Sequence, residues 1–160
     1  MKKFAMFLVA AALAAAARAD GARSYVGAGA QALVPQGSSR MRHAVGGAAN
    51  VGIYVSERIA VEAEAAWLER RCGLSARALG HFSLLEEFDL LFGCEKLDPF
   101  FTVGASGWMR RGQVGPSAGV GAFYYIDDDW ALRFDAAATL GLDTEREMAY
   151  SATLGIQRTF

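Results

Sequence analysis

Inside stretches of alternating polarity, three pairs of ionisable side chains stand at a spacing of two: Glu62 with Glu64, Glu87 with Asp89, and Arg133 with Asp135. In an extended strand that spacing puts both members on one face, where carboxylates and a guanidinium can form a charge-paired plug or line a cation-favouring passage. A second pattern is His81-Phe82-Ser83 with Glu87 further along. An imidazole and a hydroxyl two residues apart on one strand face, followed by a carboxylate, have the shape of a serine hydrolase site; the alternative is a histidine at a loop end beside an inward serine. His43, His81, Cys72 and Cys94 lack metal-ligand spacing, so neither a metal nor another cofactor is expected. Gly27-Ala-Gly29, Gly46-Gly47 and Gly119-Val-Gly121 have no strand-then-helix context, which argues against a phosphate loop.

The elements that position these groups follow from composition and period. The chain has 160 residues, 53% hydrophobic and 21% charged, at a formal net charge of −1. These values exclude a disordered tail, a collagen and a basic nucleic-acid binder. Lys2 and Lys3, an apolar run from Phe4 to Ala17, and Ala17-Arg18-Ala19 make a secretory signal peptide over 1–19, cut before Asp20. Removing Lys2, Lys3 and Arg18 takes the 16 basic residues to 13 against 17 acidic ones, a net charge of −4. No nucleic-acid partner fits that charge. Beyond the signal no apolar stretch reaches the roughly 18 residues of a spanning helix.

Residues 20–160 read as one domain with period-two alternation in eight segments: 26–34, 45–55, 59–67, 82–92, 101–109, 118–126, 130–140 and 150–160. Segments of 9–11 residues match tilted strands that cross a bilayer, not the shorter strands of soluble sheets. Short connections at 56–58, 93–100 and 127–129 alternate with longer ones at 35–44, 68–81, 110–117 and 141–149. Short periplasmic turns and long outer loops are the pattern of an outer-membrane barrel, and an even strand count puts both termini on the periplasmic side.

With one parity chosen per segment to maximise the split, one face holds 40 apolar residues in 44 positions and the other 12 in 36. The apolar face ends in rings. Phe92, Phe101, Tyr124, Trp130 and Phe160 lie at one rim, Trp67, Phe82 and Tyr150 at the other, an aromatic girdle on both sides of a small-residue band. The other face collects Glu62, Glu64, Glu87, Asp89, Arg133 and Asp135, five acids facing one base, an imbalance that requires water, cations or protonation. Glu86 falls on the apolar face, or marks a bulge that turns Glu86 and Glu87 inward.

The terminal 150–160, with Tyr150, Leu154, Ile156 and Phe160 in alternation, is similar to the last strand of bacterial outer-membrane barrels, where such a strand is the assembly signal; Arg158 stands where those proteins carry a hydrophobic residue. Together with 98–107, 116–125 and 130–136, the chain resembles the small eight-stranded barrels of the OmpA/OmpX type. The resemblance implies an all-β, antiparallel up-and-down transmembrane barrel in the outer membrane of a Gram-negative-type bacterium. It implies as partners the lipids and lipopolysaccharide of that membrane and the machinery that assembles barrels. His81-Phe82-Ser83 also resembles the His-x-Ser of outer-membrane lipid A deacylases, although there the motif lies near the C-terminus.

The function expected is therefore a monomeric barrel without enzymatic activity, structural or acting through its loops, with a polar lumen that is mostly plugged. The alternatives are a narrow cation-favouring pore and a lipid-modifying hydrolase using His81 and Ser83. Cys72 in an outer loop and Cys94 in a periplasmic turn would stand roughly 30 Å apart, too far for an intramolecular disulfide.

Overall fold

A computed structural model describes residues 23–36, 43–69, 71–81, 96–108, 113–142 and 148–160. The signal peptide lies outside them. The described chain forms eight antiparallel strands and no helix: β1 (Ser24–Pro35), β2 (Ala44–Ser56), β3 (Ile59–Leu68), β4 (Arg71–His81), β5 (Leu97–Trp108), β6 (Gln113–Tyr125), β7 (Trp130–Leu140) and β8 (Met148–Thr159). Each strand pairs with its sequence neighbours, and β8 pairs with β1, from Tyr25 opposite Thr159 to Pro35 opposite Ala149, so the barrel closes. Closure leaves no unpaired edge. The expected all-β up-and-down barrel is the observed architecture.

Seven strands carry the expected parity. Val61, Val103, Val120, Phe134 and Leu154 point outward, each more than two-fifths exposed, while Glu62, Thr102, Phe123, Arg133 and Thr153 point inward and are buried. Trp67, Phe101, Tyr124 and Trp130 share the outer face, as do Tyr150, Leu154 and Ile156 on β8 and Phe160 just beyond it. Gly80 gives Phe101 its place: a Cβ there would run into the Phe101 ring, so the absent side chain lets the ring lie along β4.

The fourth strand is a correction. The alternation in 82–92 suggested a strand there and a long loop over 68–81, but Arg71–His81 is itself a strand, paired with β3 from Ile59 opposite Gly80 to Leu68 opposite Arg71 and with β5 on its other side. Both windows alternate, so period alone does not choose between them. What selects 71–81 is partnership: this register sets Arg77 directly opposite Glu62. Leu68 stands opposite Arg71, so only positions 69–70 separate β3 from β4, and Glu69 takes φ 49°, the left-handed conformation that tight hairpins use. The expected alternation of short and long connections changes with it, because 69–70 replaces a long loop and the link from β4 to β5 spans 82–96. Cys72 accordingly sits in β4, half-buried and a free thiol, not in a loop. Phe82, Ser83, Glu86, Glu87, Asp89, Phe92 and Cys94 lie outside the described residues.

Two clusters fill the ends of the interior. Tyr25, Ala60, Leu79, Phe100, Phe123 and Ala131 close the end that carries the termini. Leu33, Ala44, Ala48, Ala66, Leu68 and Ala149 line the opposite, loop end, with Trp108 packed against them. Because β4 is hydrogen-bonded on both edges, its amides from 73 to 80 should resist exchange for hours in micelles, as measured by hydrogen–deuterium exchange NMR; exchange within minutes would contradict the strand assignment.

Candidate functional site: a buried charge network in the lumen

Between the two clusters the lumen is ionic. Register creates it: Gly52 of β2 faces Glu62 of β3, Glu62 faces Arg77 of β4, and Asp135 of β7 faces Thr153 of β8. Glu62 is the hub. Arg77 reaches Glu62 Oε1 through Nη2 at 2.8 Å, and Arg133 donates to both Glu62 oxygens, to Oε1 at 3.1 Å and to Oε2 in a shorter contact. Asn50 Nδ2 donates to Oε2 at 2.8 Å and the Tyr25 hydroxyl at 3.0 Å. Arg77 also holds Glu64 Oε2 at 2.5 Å and Asp135 Oδ1 at 3.4 Å, and Arg133 Nε holds Asp135 Oδ2 at 2.7 Å. Gln31 Nε2 completes Glu64 at 3.0 Å and reaches Thr153 Oγ1 at 3.2 Å.

Burial gives these contacts their weight. Glu62 is 1% exposed and Arg133 2%, so neither ion keeps its hydration, and the cost of that is several kcal/mol per ion unless partners replace the water. Here they do: each carboxylate oxygen of Glu62 has at least two donors. Gly52 is part of the fit, since a Cβ there would collide with the Tyr25 ring that leans over it to reach Glu62.

Below the ions lies an aromatic floor. Phe100 and Phe123 stack with centroids 4.6 Å apart, and the Arg133 guanidinium lies 5.4 and 5.6 Å from their centroids, close enough for cation–π attraction. His81 stacks on Phe123 at 5.8 Å and its Nδ1 is 2.8 Å from Asp98 Oδ2, which also accepts from the Tyr125 hydroxyl at 3.3 Å.

Of the residues singled out from the sequence, the structure brings together Glu62, Glu64, Arg133 and Asp135; Glu87 and Asp89 lie outside the described residues. The imbalance of five acids and one base is replaced by three acids and two arginines within the network. Arg77 is the residue the sequence reading missed. Its signal was the alternation Ser75, Arg77, Leu79, His81 beside a strand that carried two inward acids and no base. His81 is set against Asp98 within the lumen, its side chain 7% exposed, and Ser83 is not among the described residues.

The architecture has clear relatives in shape. The N-terminal β-barrel domain of Pseudomonas aeruginosa OprF superposes with a TM-score of 0.61 at 15% identity, covering 87% of this chain and 99% of that one. Ail, the attachment invasion locus protein of Yersinia pestis, gives 0.62 at 11% identity over 87% and 99%, and Neisserial surface protein A gives 0.59 at 12% over 86% and 97%. No family model and no curated relative matches the sequence. The chain thus has the fold of small eight-stranded outer-membrane barrels.

Removing one partner of the network strands the others as buried charges. Arg77→Ala should cost about 3–5 kcal/mol in urea unfolding of the micelle-refolded barrel, whereas Arg58→Ala, in an exposed turn, should stay within about 0.5 kcal/mol.

Proposed function

We propose that this chain is an integral outer-membrane barrel, exported by its first 19 residues, that acts without catalysis through envelope integrity or its exposed loops and whose lumen is plugged by ion pairs. The observation that carries this is the inversion of polarity. Val45 and Val120 are each 63% exposed while Glu62, Arg77 and Arg133 are 4% exposed or less. A soluble ligand-binding barrel needs its apolar face inward; this chain turns it outward, as a hydrocarbon solvent requires.

Other features support the same reading. Trp67 and Tyr150 toward the loop end, and Phe101, Tyr124, Trp130 and Phe160 toward the other, suit two membrane interfaces. Arg158 lies between the Trp130 and Phe160 rings, 5.5 and 5.1 Å from their centroids, where its charge can reach headgroups. Lipids and lipopolysaccharide are the partners such a surface takes, the β8 alternation suits recognition by the barrel-assembly machinery, and closure lets the chain stand as a monomer. The hydrolase reading needs His81 on an accessible surface beside Ser83, and His81 is buried against Asp98.

Eight strands leave an interior that side chains can fill. On this reading the mature chain fractionates with the outer membrane, migrates differently on gels before and after heating, and passes no current in planar bilayers, either as wild type or as Arg133→Ala. A steady cation-selective current that Arg133→Ala alters would replace the plug with the narrow pore, and recovery as a soluble periplasmic protein would overturn the membrane reading.

A further inference from the structure

Among the described residues of the eight strands, the outward-facing layer carries one charged side chain, Arg158 of β8. It is exposed and stands opposite Trp130 of β7 on one side and Val26 of β1 on the other. Its guanidinium lies 5.5 Å from the Trp130 ring centroid and 5.1 Å from that of Phe160, so two π-faces hold it where an ion pair would be expected. Among the described residues Arg158 makes no hydrogen bond and no ion pair. The acids nearest in the fold are turned to other tasks or to water. Asp127 Oδ1 accepts from the Asp129 and Trp130 amides, Asp128 and Asp129 are exposed in the same turn, and the Phe160 amide donates to Ser24 O, tying the terminal residue to β1.

The rings fix the position of the cation and supply no oxygen acceptor, so its planar fork of N–H donors needs one from outside the protein. A basic side chain on this face is tolerated at a membrane interface and costly at the midplane, which sets Arg158 at the depth of the headgroups. Ester carbonyls at that depth are neutral. A phosphodiester has both the opposite charge and a pair of free oxygens that match the fork. The direction of approach selects its source. On the water side the Asp127-Asp128-Asp129 turn repels a free anion, whereas a phosphate tethered to acyl chains arrives along the barrel wall. There Leu132 and Ile156, paired one step further from the rim, offer an apolar track for a chain.

We propose that Arg158, flanked by Trp130 and Phe160, binds the phosphodiester of a phospholipid in the leaflet at the end that carries the termini. The site rests on the membrane reading of the barrel and adds to it a fixed place on the wall and a required headgroup chemistry.

The test uses the mature barrel refolded in maltoside micelles in phosphate-free buffer, carrying Trp67→Phe and Trp108→Phe so that Trp130 is the one remaining tryptophan. Phosphatidylglycerol, phosphatidylethanolamine and diacylglycerol, each with brominated chains that quench an indole on contact, are titrated separately. Either phospholipid should half-quench Trp130 at a mole fraction about fivefold lower than diacylglycerol does. Arg158→Gln should abolish that preference with heat-modifiable migration retained, while Arg58→Gln, in an exposed turn at the same end, should leave it intact. If Arg158→Gln does not fold, Arg158→Lys replaces it; that variant keeps the charge without the fork and should lose roughly half of the preference. A barrel with Trp67 as its one tryptophan, at the opposite end, should be quenched alike by all three lipids. Equal quenching of Trp130 by the three, the same preference at Trp67, an undiminished preference in the folded Arg158 variant, or displacement of the lipid by millimolar sodium phosphate would overturn the proposal. Failure of the membrane reading shows separately, as a folded barrel that stays in solution without detergent.

Discussion

One carboxylate organises the barrel. Glu62 stands 1% exposed at the middle of the lumen and is bonded by Arg77 from β4, Arg133 from β7, Asn50 from β2 and Tyr25 from β1. Side chains from four strands thus converge on two oxygen atoms carried by a fifth. A buried ion pair is weak evidence of net stability, because desolvation offsets most of the attraction. Its effect is on alternatives: a one-residue slip of β3 or β4 would send Glu62 or Arg77 into the lipid-facing layer and leave its partners unpaired in the interior, so the network penalises wrong registers heavily.

The two ends of the lumen differ because the network is not central to both. Toward the termini, Tyr25, Phe100 and Phe123 pack directly under the ions, with Arg133 lying over two of the rings. Large rings in that half exclude water and hold the guanidinium between paired carboxylates and π-faces. Toward the loops Leu33, Ala44, Ala48, Ala66, Leu68 and Ala149 form the apolar cluster against which Trp108 packs, and a small void remains beside Gln31, Ser75 and Arg77. The half of the interior that carries the termini is therefore the more aromatic one, with Tyr25, Phe100 and Phe123 against Trp108 toward the loops.

Much of this was legible in the residues. Period two exposes a strand wherever one face meets lipid and the other meets ions, which is why Val61 and Glu62, or Arg133 and Phe134, sort at once. The fourth strand was not legible, because both 71–81 and 82–92 alternate and a local pattern carries no information about partners. Only the pairing of Glu62 with Arg77, a contact between positions 15 residues apart, distinguishes the two windows. The same blindness made the lumen look acid-rich: without Arg77 in a strand, Glu64 had no visible counter-ion. His81 kept its inward direction but found Asp98 as its partner, across a connection whose length the sequence pattern had misassigned.

Glu62 and Arg133 act as one unit in the lumen, and a double-mutant cycle in refolded barrels measures that directly. Glu62→Gln, Arg133→Met and the double variant, compared by urea unfolding, should show a coupling of about 1–3 kcal/mol, with the double variant less destabilised than the sum of the singles. Effects that add to within about 0.5 kcal/mol would mean the two side chains do not depend on each other, and the network would not be the constraint on which this barrel is built.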